Sequence, residues 1–147
     1  MYEFRMEMSK YTMDIPTKSE NMGKVMAFVE LSIADIGCPR SSKQLTIVGE
    51  ELACNIFSYA YDNAPGTFSI KIYLCPEQNK VIMEFRDAGK PFNPLEMPCP
   101  DLDVHISERK IGGLGIMLSK KLTDNQVYRY ENGQNILQVE KFIAPSR

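Results

Sequence analysis

The chain has 147 residues, 44% apolar and 24% charged, with a formal net charge of -2, values close to those of ordinary globular domains. That length suits one domain with a core large enough to need neither disulfides nor a structural metal. The charge balance excludes a basic surface for nucleic acid and a polybasic segment for membranes.

No apolar stretch reaches the roughly 18 residues of a membrane helix, and the first residues, MYEFRMEMSKYTMDIP, scatter charges where a signal peptide needs its apolar segment. A cytoplasmic protein is therefore expected. Cys38, Cys54, Cys75 and Cys99 form no C-x-x-C pair and His105 is the single histidine. Zinc-ligand spacing is thus missing, and reduced, mostly packed thiols are expected.

In chain order, Met1 to Met13 alternates through Tyr2, Phe4 and Met6 and reads as an edge strand. From Thr17 to about Gly37 the period changes: Val25, Phe28, Val29, Ser32, Ile33 and Ile36 recur at spacings of three and four. Pro16 stands ahead and Gly37 with Pro39 behind, which predicts an amphipathic helix. A second helix is expected over about Ser42 to Tyr61, with Leu45, Val48, Leu52, Ile56 and Tyr59 on one stripe and DNAPG ending it. TFSIKIYLC and KVIMEFRD alternate as two strands joined by PEQN.

Leu95 to Lys110 has no clean period and reads as a loop. A short helix follows the glycines, with Leu114, Met117, Leu118 and Leu122 on one stripe, and NQVYRY and NILQVEKFI form a closing hairpin around ENGQ. This order of elements predicts an α+β fold, a two-layer sandwich in which a mixed, mostly antiparallel sheet is covered on one face by helices.

Three clusters carry chemistry. In EFRDAGKPFNP the period-two alternation puts Asp87 on the side of Val81, Met83 and Phe85, facing the core. An ionised carboxylate there needs donors, since its oxygens only accept hydrogen bonds. A ligand amine would supply one, and an Asx turn through the backbone is the competing account. Glu51 and Asn55 lie one turn apart on the second helix. The Asn55 carbonyl oxygen is a hard ligand suited to Mg2+, and Glu51 could take a proton from a hydroxyl beside that ion; a solvated helix edge is the alternative. Finally, Gly112, Gly113 and Gly115 precede and open a helix, where free N–H groups and the helix dipole favour phosphate, or where the chain simply turns into the helix.

The three motifs in this order resemble the GHKL ATPase superfamily, and within it the small RsbW-like anti-sigma factor serine kinases. EELACN is similar to that superfamily's N box, DAGKPFNP to its adenine-binding box, and GGLGIMLSKKLTD to its second glycine box. The resemblance runs from the first helix through NILQVEKF. It implies the histidine kinase-like (Bergerat) ATP-binding fold over residues 1–147 as a single domain, with an ATP lid at about 95–111.

By that resemblance Asn55 holds Mg2+, Glu51 is the general base, Asp87 accepts from the adenine amine and Gly89 gives the base room, with Phe92 in the turn beyond it. Gly112, Gly113, Leu114 and Gly115 offer backbone N–H groups to the phosphates of ATP, and either Arg109 or Lys110 reaches the γ-phosphate. The implied activity is transfer of that phosphate to a serine of a small antagonist protein of the anti-anti-sigma type. A sigma factor is the competing partner and a homodimer is implied by analogy.

The chain departs from the family pattern in reading Tyr59-Ala60-Tyr61 where relatives carry a histidine, and in having no threonine in NILQVEK near the expected adenine. No dimerisation helix with a phosphoacceptor histidine is found, and His105 falls in the lid, where a solvent-exposed loop role suits it. The alternative function is a nucleotide-dependent switch that sequesters a regulator without phosphorylating it.

Overall fold

A computed structural model describes residues 3–7, 10–97 and 113–143. The elements are β1 (Glu3–Glu7), β2 (Lys10–Pro16), α1 (Met22–Ile36), α2 (Ser42–Tyr59), β3 (Thr67–Cys75), β4 (Lys80–Asp87), α3 (Gly113–Leu122), β5 (Asn125–Glu131) and β6 (Gln134–Phe142). Short 3-10 turns lie at Ser19–Asn21, Pro76–Gln78 and Pro94–Glu96. The six strands form one sheet in the order β1-β2-β3-β4-β6-β5. All five pairings are antiparallel, so the sheet contains no parallel pair among the described residues.

Each element has a local cause. The chain leaves α1 through Gly37, whose φ of 80° is the left-handed conformation that closes a helix, with its N–H bonded back to the Ile33 carbonyl at 3.3 Å. Asp62 and Asn63, also at positive φ, turn the chain from α2 into β3. Asn132 and Gly133, at φ 52° and 76°, make the two-residue turn whose twist suits the β5–β6 hairpin.

The helices and one sheet face enclose the core, built from Val25, Phe28, Ile33 and Val48 against Ile70 and Met83, all at most 1% exposed. The two long helices approach closely because Gly49 has no side chain: a Cβ there would lie 2.8 Å from Val29 Cγ1. Tyr11 of β2 donates to Asp35 of α1, a bond that with burial pushes the phenol pKa up to about 12. On the opposite sheet face Glu84 is 8% exposed and gathers Arg86 at 3.3 Å, Arg129 at 3.7 Å and Lys71 at 3.8 Å.

Two expectations are corrected. The first block is two strands, and β2 is internal, paired to β1 on one side and β3 on the other. The sign was in the sequence: apolar residues occupy even numbers at 2, 4 and 6 and odd numbers at 11, 13 and 15, a parity change that a two-residue hairpin turn produces. The stripe expected of α3 is also rotated. Leu114 and Leu118 are 42% and 38% exposed, while Ile116 and Ser119 are buried. α3 meets α2 at Gly115, where a Cβ would crowd Glu51, while Leu122 of the expected stripe does pack against the core.

Candidate functional site

β4 ends in the core at Asp87, only 6% exposed. Its Oδ1 accepts two hydrogen bonds, from Gly89 N at 2.9 Å and from Asn135 Nδ2 at 2.9 Å. The first is the Asx turn, so the turn and the inward-facing carboxylate are both real features of the peptide. No described residue donates to Oδ2. Burial pushes the Asp87 carboxyl up, and the Asn135 and Gly89 donors oppose that rise.

Asp87 lines a cavity of about 260 Å³ between α2 and the end of the sheet, walled by Asn55, Ile56 and Tyr59 on one side and by Phe85 and Leu137 on the other. Phe92 lies at its margin, 45% exposed. Tyr59, expected in the core, is 42% exposed and also borders this cavity, because the last turn of α2 runs past the edge of the packed core.

The chain beside the cavity, whose lining includes Ala60 and Lys90, is tied together by Tyr61 and Gly89. The Tyr61 hydroxyl accepts from Ala88 N at 2.6 Å and donates to the Thr67 carbonyl, pinning the end of β4 to the start of β3. A Cβ on Gly89 would lie 2.2 Å from the Ala60 carbonyl oxygen, so the missing side chain makes room for the end of α2. Lys90 N bonds that same carbonyl at 3.4 Å, and the Lys90 ammonium reaches Asp62 at 2.7 Å.

Asn55 is half-buried and faces the cavity with no hydrogen-bond partner among the described residues. Glu51 does not line the cavity. It is exposed on α2 and stands against the first turn of α3, where a Cβ on Gly115 would fall 2.6 Å from Glu51 Oε2. Gly113 and Leu114 open α3 beside it, and Ser119 Oγ donates to the Gly115 carbonyl at 2.9 Å within that helix. The structure therefore brings Asn55, Asp87 and Phe92 to one cavity, and Glu51, Gly113, Leu114 and Gly115 to a neighbouring α2–α3 junction. Lys110, Gly112, Arg109, His105 and most of the lid lie outside the described residues, as does Cys99.

Two residues of the cavity wall escaped the sequence reading. Asn135 of β6 is 7% exposed and holds Asp87, and the Tyr128 hydroxyl of β5 donates to Asn135 Oδ1. Alternation could have found Asn135, since Leu137 and Val139 are core residues and Asn135 shares their side of the strand.

The profile of the histidine kinase-like ATPase domain matches residues 15–141. The chain belongs to that family, and membership implies ATP binding. Among solved structures, the chain is similar to the crystal structure of the RsbU and RsbW domains of Rv1364c from Mycobacterium tuberculosis. The TM-score is 0.61 at 15% identity, and the match covers 92% of this chain and 34% of that one. At that identity the likeness concerns the fold, and the chain spans about a third of the length of that protein. No curated protein sequence matches the chain.

The residues fit a nucleotide on their own chemistry. An apolar-lined cavity suits a flat base, and Asp87 Oδ2 receives no hydrogen bond from the described residues. For a metal, no cluster of three or more His, Cys, Asp or Glu able to hold an ion occurs among the described residues. A single hard oxygen such as that of Asn55 is nevertheless what Mg2+ takes when phosphate and water complete its shell. No helix among the described residues is long and apolar enough to cross a membrane.

Proposed function

We propose that the protein is a Mg-ATP-dependent serine kinase of the anti-sigma-factor type. It would phosphorylate a serine on a small antagonist protein of the anti-anti-sigma type and bind a sigma factor as the competing partner. The observation that carries this reading is the Asp87 carboxylate at the cavity wall, with one oxygen saturated by protein donors and the other given none among the described residues.

In this reading Asp87 Oδ2 accepts from the exocyclic amine of adenine, and Tyr59 and Phe92 flank the base. Gly89 lets the turn close beneath it. Asn55 would hold Mg2+, which would supply positive charge to offset that of the phosphates. Backbone N–H groups of Gly112, Gly113, Leu114 and Gly115 receive the phosphates at the start of α3, assisted by Lys110 or Arg109. Glu51 takes the proton of the substrate serine while its oxygen forms the new bond to phosphorus and ADP departs. The position of Glu51 outside the base cavity suits a proton acceptor for a hydroxyl brought by a partner at the α2–α3 junction.

Thermal unfolding with and without Mg-ATP tests the reading. Ligand at about 100 times its Kd stabilises by about 2.7 kcal/mol, which for a chain of this size raises Tm by roughly 8 °C. An unchanged Tm at millimolar Mg-ATP would count against the site. Incubation with γ-labelled ATP and a cognate antagonist then reads transfer directly.

A further inference from the structure

Asn135 faces Asp87 across the β4–β6 ladder, and its side chain uses every hydrogen-bonding direction it has. Nδ2 donates to Asp87 Oδ1 at 2.9 Å and to the Lys90 carbonyl at 2.9 Å, while Oδ1 accepts from Phe92 N at 3.0 Å and from the Tyr128 hydroxyl. A carboxamide offers two donors and two lone pairs, so nothing is left for a ligand. Asn135 therefore acts on whatever occupies the cavity only through the groups it holds.

We propose that Asn135 is the positioning residue for base selection: its amide N–H fixes Asp87 as a hydrogen-bond acceptor and so makes the cavity choose a 6-amino purine over a 6-oxo purine. This rests on the ATP reading above. An ionised carboxylate can only accept, which suits the adenine amine and repels the oxygen that a 6-oxo purine carries at the same place. A neutral carboxylic acid would instead donate to that oxygen, and the discrimination would fade.

Among the described residues, few groups decide which form Asp87 takes. The register neighbour on β3 is Phe68, and α2 contributes Asn55 and the exposed Tyr59 to the cavity, none of them cationic. β5 contributes Tyr128, whose hydroxyl is turned to Asn135. Lys90 is committed to Asp62. Against burial, then, stand the Gly89 N–H and the Asn135 amide, and the amide is the larger of the two opposing influences. The same amide ties the carbonyl of Lys90 and, through its oxygen, the backbone of Phe92, so the turn that walls the base and the acceptor that reads it are set by one side chain.

The test compares Kd for ATP and ITP, which differ at the purine 6-position, from pH 5.5 to 8.5 in the wild type and in Asn135→Asp. The substitution keeps the shape and replaces the donor with a second carboxylate, a pairing that favours protonation. The ATP-over-ITP preference at pH 7.5 should fall about tenfold, as expected for losing one hydrogen bond to a charged group. The acid limb of ATP binding should move to higher pH.

If Asn135→Asp shows no cooperative unfolding transition, Asn135→Ala carries the same two readouts. A folded variant with an unchanged ATP:ITP ratio and acid limb overturns the inference, including when both nucleotides weaken equally, since that is the mark of a structural role. A wild type that binds neither nucleotide overturns the ATP reading itself, and this inference with it.

Discussion

The two ends of the candidate site are built differently. At the sheet end, Asp87 is buried, its Oδ1 is saturated, and Asn135, Tyr61 and Gly89 lock the strand ends and the following turn together. At the helix end, Asn55 has no partner among the described residues, Glu51 is exposed, and the first leucine of α3 is 42% exposed. If the proposed reading holds, the end assigned to the base is organised before any ligand arrives, while the end assigned to the phosphates consists of groups left open to solvent. Buried polar groups must be satisfied by the protein, whereas exposed ones can leave that to water, phosphate and metal.

The contrast predicts that changes at the two ends fail in different ways. Glu51→Ala should lower phosphotransfer by about a hundredfold or more, the scale of a lost general base, and leave ATP affinity unchanged. A parallel loss of affinity would show the two ends to be one unit. Asp87→Asn should weaken ATP by roughly ten- to a hundredfold, measured by calorimetry.

The apo-protein carrying Asp87→Asn should be no less stable at pH 7, and this follows from the sign of the shift. A carboxyl whose folded pKa is raised stabilises the fold below its unfolded pKa and loses that contribution as pH rises through the folded value. Near neutrality the ionised group burdens the fold, and the neutral amide removes that burden while still accepting at Oδ1.

Gly89→Ala places a carbon 2.2 Å from the Ala60 carbonyl, where backbone must move. A loss of about 1–3 kcal/mol in denaturant unfolding is expected, together with weaker ATP binding. Gly115→Ala meets only the far end of Glu51, a flexible side chain. Helix propensity should raise stability by up to about 1 kcal/mol while the displaced carboxylate slows transfer.

The smallest effect lies away from both ends. The hydrogen bond from Lys80 holds the Glu140 carboxyl below its ordinary range, so its contribution is present above the unfolded pKa and lost as pH falls through the folded value. Glu140→Gln, which keeps an oxygen to accept from Lys80, should cost about 1 kcal/mol at pH 7 and flatten the acid limb of stability without altering ATP binding.

Much of this was legible in the chain. The periods of 3.6 and 2 located both long helices and the β3–β4 and β5–β6 hairpins, because burial of one face repeats with the backbone geometry of the element itself. Alternation alone turned Asp87 inward, and the order of three short motifs pointed to the family that residues 15–141 match.

What the periods could not carry was any relation between elements. Asn135 and Asp87 are 48 residues apart and become partners only through the β4–β6 register. The face that α3 buries depends on what packs against it: leucine spacing placed Leu122 on the core side correctly but also Leu114 and Leu118, which are exposed. Glu51 and Asn55, one turn apart on the same helix, were divided between a junction and a cavity by what packs against each. Local sequence sets which way a side chain leaves its own backbone, and only the packed neighbours decide what it finds there.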